Sequence, residues 1–176
     1  MYDLKQINEL DKKAPKGAFS TLDMEVLIPE VEKLQPGDTY LEIGVDKGKS
    51  LFIARMVAKG GVLVYGIDIQ QLEQKIPNTT FLWGDSVGIA QRWGDEGQAI
   101  DVLFIDGDHS YKGCKNDIDA WYPHMKVDGV MMFHDHDETS PGVMQAVSEF
   151  VNNHKLKEYK MFKRSDKNTS MAIVRL

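Results

Sequence analysis

Three apolar runs, each stopped by an acidic or glycine-bearing turn, constrain this chain more than anything else in it. They are Tyr40-Leu41-Glu42-Ile43-Gly44-Val45-Asp46-Lys47-Gly48-Lys49-Ser50, Val64-Tyr65-Gly66-Ile67-Asp68 and Val102-Leu103-Phe104-Ile105-Asp106-Gly107-Asp108-His109. A parallel strand is covered on both faces and therefore reads as a nearly continuous apolar run. In open α/β sheets, ligands bind in the crevice outside the carboxyl ends of the strands. Three strand ends carrying acids and glycines point at one such crevice.

Between the runs the apolar spacing turns helical. Residues 1–20 are polar and read as an irregular lead-in or a short helix followed by a loop. Met24, Leu27, Ile28, Val31 and Leu34 then recur at helical intervals behind Ser20-Thr21-Leu22-Asp23, where a hydroxyl can satisfy free amides of the first turn, and Pro36-Gly37-Asp38 ends the helix. Strands are expected at 39–45, 62–67, 80–83, 101–105 and 129–133, with helices at 49–59, 87–93, 112–125 and 141–153 and a loop or short helix at 70–78. A closing pair of strands is expected at 159–163 and 170–174. This alternation predicts an α/β fold: a doubly wound, mainly parallel Rossmann-like sheet with helices on both faces and a C-terminal antiparallel hairpin. A length of 176 residues suits one domain over 1–176, opened by an N-terminal helical segment over 1–38.

Composition narrows the function classes. The formal net charge is −6 with both signs interspersed, which argues against nucleic acid or an anionic membrane as partner. The basic run from Lys155 to Lys167 is interrupted by acids and apolar residues and reads as solvated surface. Cys114 is the only cysteine, so no internal disulfide forms, and its surroundings read as plain helix. Met1-Tyr2-Asp3-Leu4-Lys5 lacks the basic-then-apolar pattern of a secretion signal, and no apolar run approaches the roughly 20 residues that span a bilayer. A soluble, cytoplasmic protein is expected.

The loop after the first run fits neither of two phosphate-binding patterns. A P-loop has four residues between its first glycine and Gly-Lys-Ser/Thr, whereas Gly44 and Gly48-Lys49-Ser50 enclose three, and Glu42 adds negative charge beside a polyphosphate. The dinucleotide pattern G-x-G-x-x-G has a glycine where Asp46 stands, and that carboxylate would repel a pyrophosphate. Asp68 lies 24 residues beyond Gly44, about where an acid holds a ribose diol. A carboxylate only accepts and a diol donates twice, so the match is to a nucleoside without choosing which. Gly84-Asp85-Ser86 after the 80–83 strand is either a generic turn and cap or part of the same nucleoside site.

With Glu42-Ile43-Gly44 as an acidic-x-Gly segment ending the first strand, the sequence resembles the class I S-adenosylmethionine (SAM) dependent methyltransferases. Gly48-Lys49-Ser50 matches the Gly-x-Ser common in the O-methyltransferase branch, and Asp46 departs from a glycine frequent in the wider family. The resemblance implies that Glu42, Gly44, Gly48 and Ser50 serve the methionine end, Asp68 the ribose, and Gly84, Asp85 and Ser86 the adenine. Phe104 to Tyr111, with Asp117, Trp121, Gly129-Val130 and Phe133-His134-Asp135, is similar to a narrower group. That group is the small methyltransferases related to macrolide-sugar O-methyltransferases and the cephalosporin-hydroxylase-like proteins.

Asp106-Gly107-Asp108-His109 and His134-Asp135-His136-Asp137 end neighbouring strands in such a sheet, so seven ionisable side chains are placed to converge. Burying so many without a ligand is costly. Oxygen donors suit Mg²⁺, Ca²⁺ or Mn²⁺, and imidazole shifts the preference towards Mn²⁺, Fe²⁺ or Zn²⁺. The resemblance implies Asp106 and Asp135 as metal ligands, His134 as a third where relatives carry an acid, and His109 as general base. It also places Asp106 among the cofactor-binding residues. The expected activity is methyl transfer from SAM to a hydroxyl of a small metabolite or sugar, with Mg²⁺ or Mn²⁺ as candidate assistant. The segment before Thr39, or a second subunit of a homo-oligomer, is expected to cover the acceptor. A P-loop-like nucleotide hydrolase and a non-catalytic SAM-binding domain are the alternatives.

Overall fold

Side-chain alternation along the strands decides which helix covers which face. The computed structural model describes residues 2–94, 98–163 and 170–176. Its elements are α1 (Leu4–Lys13), α2 (Thr21–Lys33), β1 (Thr39–Ile43), α3 (Lys49–Val57), β2 (Leu63–Asp68), β3 (Thr80–Trp83), α4 (Ser86–Trp93), β4 (Ile100–Ile105), α5 (Tyr111–Trp121), β5 (Met125–His134), α6 (Pro141–Asn153), β6 (Glu158–Lys163) and β7 (Ser170–Arg175). They form a seven-stranded sheet in the order β3-β2-β1-β4-β5-β7-β6. Neighbours from β3 to β5 are parallel, and β7 joins both β5 and β6 antiparallel. The α/β expectation with its closing hairpin therefore holds. Strand order reverses between β1 and β4, which opens the crevice expected at such a switch point.

Successive residues of a strand point to opposite faces. Tyr40, Phe104, Met132 and Ile173 pack with α1, α2 and α3, while Leu41, Leu103, Met131 and Val174 pack with α4, α5 and α6. Each fully buried large side chain of this kind stabilises the fold by roughly 1.5–3 kcal/mol. The same parity sends Glu42, Asp106 and His134 to the α1–α3 face. Glu30 of α2 is buried and pairs twice with Arg175 of β7, at 3.0 and 2.8 Å, tying the N-terminal helices to the far strands.

Two boundaries differ from the sequence reading by four residues. The helix expected over 112–125 ends at Trp121, and Tyr122–His124 forms a 3-10 turn around Pro123. Proline donates no backbone hydrogen bond and its ring crowds the carbonyl four residues back, so the α-helix does not continue through Pro123. Strand β5 consequently starts at Met125 rather than Gly129, with a register shift against β4 between Ile100 and Val102. The end of the basic run, over 164–167, lies outside the described residues. Among the described residues, no helix is long and apolar enough to cross a membrane.

Candidate active site

A cavity of about 650 Å³ lies at the carboxyl ends of β1, β2, β3, β4 and β5. Its walls include Gly44, Ser50, Asp68, Gly84, Asp85, Ser86, Asp106, His109, His134 and Asp135. Ten of the residues singled out from the sequence thus meet around one space. Glu42 and Gly48 are not among its walls.

Glu42 is fully buried below the cavity, where its two oxygens accept hydrogen bonds from Ser50 Oγ (2.5 Å) and Tyr40 Oη (2.8 Å). Burial pushes its pKa up to about 8 despite both hydroxyl donors. Gly48 starts α3 with a left-handed backbone, and a β-carbon there would press on Ile76 and Leu72. Gly44 does line the cavity, but its missing side chain answers a different need. At φ +85° a β-carbon would collide with the backbone of Asp106, so this glycine lets the ends of β1 and β4 close on each other.

Asp68 ends β2 with both oxygens engaged by backbone. Oδ2 accepts Asp46 N–H and Oδ1 accepts Gln70 N–H, both at 2.8 Å. Asp46 has φ +47°, so this bond holds the β1–α3 loop in a left-handed turn. An ionised carboxylate offers about four lone-pair sites, so two remain for a diol. Asp85 caps α4 through Gly88 N–H at 2.8 Å, and Ser86 Oγ donates to Asp117 of α5. Burial raises Asp117 to about 6. Asp117, whose carboxylate faces the same end of the cavity, had no assigned role in the sequence reading.

Of the seven ionisable side chains expected to converge, four do. His134 Nδ1 lies 3.2 Å from Asp106 Oδ1 and 3.3 Å from Asp135 Oδ2, and these three side chains form the group able to hold a metal ion among the described residues. His109 Nε2 reaches the same two oxygens at 3.6 and 3.4 Å from the half-exposed rim. Strict alternation would have sent Asp135 to the opposite face from His134. Its backbone instead turns left-handed at φ +50°, which brings the carboxylate back to the cluster. Asp108 folds back to accept Ser110 N–H, Asp137 holds Thr139 and Ser170, and His136 sits against Tyr159.

The electrostatics follow from this crowding. Burial would lower the His134 pKa, but Asp106, Asp135 and Asp23 outweigh it and push the imidazole up to about 12. Burial likewise opposes ionisation of Asp106, yet His109 and His134 hold it below the usual carboxylate range. His109 is raised, chiefly by the Asp106 carboxylate facing its ring.

The segment before Thr39 does reach the cavity, through residues that the sequence does not single out. Gly17, Ala18 and Phe19 close one side of the cavity, and Lys49 on its wall pairs with Asp11 of α1 at 2.7 Å. Phe19 packs against His134 and Phe104 with ring centroids 5.9 Å away in each case. No local pattern marked these residues, because proximity to the strand ends arises only when α1 and α2 dock.

A family model described as "Methyltransferase domain" matches residues 41–136. An uncharacterized protein of Acanthamoeba polyphaga mimivirus is 32% identical over 143 residues, which are 71% of this chain and 64% of that relative, so the chain spans just under two thirds of its length. The solved O-methyltransferase from Bacillus cereus in complex with SAH superimposes with a TM-score of 0.73 at 13% identity, covering 98% of this chain and 90% of that one. The MycE methyltransferase of the mycinamycin biosynthetic pathway, solved with Mg, SAH and mycinamycin VI, superimposes with a TM-score of 0.70 at 15% identity, covering 96% of this chain and 53% of that one. At these identities the two structures show a shared fold.

Proposed function

The chain belongs to the methyltransferase domain family, and we propose that it transfers a methyl group from SAM to a hydroxyl of a small metabolite or sugar, with a divalent ion assisting. One observation carries the reading: a single cavity joins Asp68, suited to a ribose, to the Asp106–His109–His134–Asp135 cluster, suited to activating an acceptor. Its volume is that of a small-molecule site. The family assignment replaces the nucleotide-hydrolase alternative.

In this reading Asp68 accepts from the ribose diol while its backbone bonds keep the carboxylate in place. Gly84, Asp85 and Ser86 line the base end. Ser50 and the Gly44 turn line the methionine end, and Glu42 sits behind them as a buried support. Holding acceptor and donor in line is itself a large part of catalysis. The 1–38 segment supplies cover on the acceptor side through Gly17, Ala18 and Phe19, which makes a second subunit unnecessary for closing that wall.

His109 is the base. Its ring is half exposed at the rim and can take the acceptor's proton, while Asp106 and Asp135, which face Nε2, stabilise the imidazolium that forms. The donor set also fits a divalent ion: two carboxylates with the buried His134 Nδ1, which makes no hydrogen bond of good geometry. Two carboxylates and one imidazole suit Mn²⁺ better than Mg²⁺. When bound, such an ion stabilises an alkoxide or phenoxide. His134 must lose its Nδ1 proton to serve it, so ion binding is expected to release a proton.

Calorimetry with SAM, S-adenosylhomocysteine (SAH), ATP and NAD tests the cofactor, and transfer of labelled methyl from SAM to a panel of hydroxylated sugars and phenols tests the reaction. Binding of ATP or NAD in preference to SAM would overturn the cofactor reading. Tight SAM binding without transfer to any acceptor would leave a non-catalytic SAM-binding domain.

A further inference from the structure

We propose that Asp23, on the N-terminal helix α2, is a positioning residue for the divalent-ion site: its carboxylate faces Nε2 of His134 and stabilises the ring proton there, keeping Nδ1 towards Asp106 and Asp135. The inference rests on the metal reading above and extends it to a part of the chain that contributes no ligand.

Asp23 occupies the third position of α2, where it closes a capping box. Its Oδ2 accepts Ser20 N–H at 2.6 Å, and Ser20 Oγ accepts Asp23 N–H at 3.3 Å. A capping carboxylate ordinarily sits at the surface, where water satisfies the remaining lone pairs. Asp23 is 1% exposed, and its Oδ1 is buried with no hydrogen-bond partner. Burying a carboxylate to complete one cap costs more than the cap returns, which is about 1 kcal/mol. A cationic or strongly donating partner is therefore required, and His134 is there. Its Nε2 lies 3.4 Å from Asp23 Oδ2, a charge contact without hydrogen-bond geometry.

Strand parity explains the meeting. His134 shares the face of Met132 and Phe104, which α2 covers through Met24, Leu27 and Ile28. Phe19 and Phe104 flank the ring at 5.9 and 6.1 Å. With the ring so confined, its two nitrogens have fixed and opposite neighbours, Asp23 on one side and the Asp106–Asp135 pair on the other. A neutral imidazole carries one donor and one acceptor, and the partner of one nitrogen decides the role of the other. An ion held on the Asp106–Asp135 side would take the Nδ1 lone pair, and the one remaining ring proton would then sit on Nε2 beside the Asp23 carboxylate. Outer partners of this kind typically change metal affinity by about 10- to 100-fold.

Mn²⁺ titration followed by electron paramagnetic resonance reads the effect without methyl transfer. Asp23→Asn keeps the size of the side chain and an acceptor for Ser20 N–H but loses the charge. It is expected to weaken Mn²⁺ binding about 10- to 100-fold while SAH affinity changes less than about 2-fold. Ser20→Ala damages the same cap without touching His134, and is expected to lower thermal stability with Mn²⁺ affinity intact. Equal loss of Mn²⁺ affinity in both variants would mean that Asp23 acts only through the helix and would overturn the proposal. So would unchanged affinity in Asp23→Asn. Wild-type protein that takes up no Mn²⁺ at millimolar concentration would instead overturn the metal reading, and the proposal with it. In Mg²⁺-loaded wild-type protein, long-range ¹H–¹⁵N spectra are expected to show the His134 proton on Nε2. A proton on Nδ1 would refute the assignment even if neither variant folds.

Discussion

Replacing Glu42 by glutamine should make the protein more stable at alkaline pH and change it little at acidic pH. The group is fully buried, its pKa is pushed from 4.5 to about 8, and its two neighbours, Tyr40 and Ser50, are hydroxyls rather than cations. The folded state therefore holds the proton more tightly than the unfolded chain does. Stability falls with pH wherever the folded state binds more protons, so the loss begins near the unfolded value of 4.5 and levels off above about 8. At about 1.4 kcal/mol per pH unit, the full loss is on the order of 5 kcal/mol. A glutamine side chain in its place keeps an acceptor and a donor for the two hydroxyls but has no charge to desolvate. Urea unfolding of both proteins, followed by tryptophan fluorescence at about pH 5.5 and about pH 9, measures the gap. The stability of Glu42→Gln minus that of wild type should grow by about 3 kcal/mol between those two values. A gap constant to within about 1 kcal/mol would refute the reasoning and mean that Glu42 is ionised and solvated, or paired with a cation, at the base of the cavity.

Three further outcomes follow from the site. Asp68→Ala should weaken SAH binding by about 100-fold in calorimetry, since two charge-assisted hydrogen bonds are lost; undiminished affinity would remove Asp68 from the ribose. Gly44→Ala combines a left-handed backbone with a collision against Asp106 and should cost on the order of 3 kcal/mol in thermal or urea unfolding. His109→Gln should lower kcat by about 10²- to 10⁴-fold with SAH affinity unchanged. Because Asp106 raises the His109 pKa in the metal-free protein, its imidazole should titrate above 6.5 by NMR when no divalent ion is bound; a midpoint at or below 6.5 would mean that Asp106 does not stabilise the His109 imidazolium.

Much of the fold was legible because the relevant signals are local and repeated. Continuous apolar runs such as Val102 to Ile105 can only be buried on both faces, and the acids that end them mark where the sheet stops. The Ser20–Asp23 cap and the helical spacing behind it needed no tertiary information. The end of α5 is less legible, because apolar residues continue past Trp121 and carry the helical pattern over Pro123. Candidate ligands were legible as residue types at strand ends, but their directions were not. Glu42 looked like a cavity residue because it precedes Gly44; the pleat instead points it beneath the site. Asp46 and Asp135 take left-handed backbone that aspartate tolerates without advertising it.

By itself, then, the sequence determined the α/β alternation and the acidic strand ends, Asp68 among them, because each depends on neighbours along the chain. Only the tertiary structure decided which four of seven ionisable groups meet, that Gly44 serves strand packing as much as any ligand, and that α2 delivers Asp23 to His134. Those outcomes depend on which face a side chain takes and which helix covers that face. A period of two along β5 fixes the first only until a left-handed turn at Asp135 breaks it, and the second is set by the docking of segments more than a hundred residues apart.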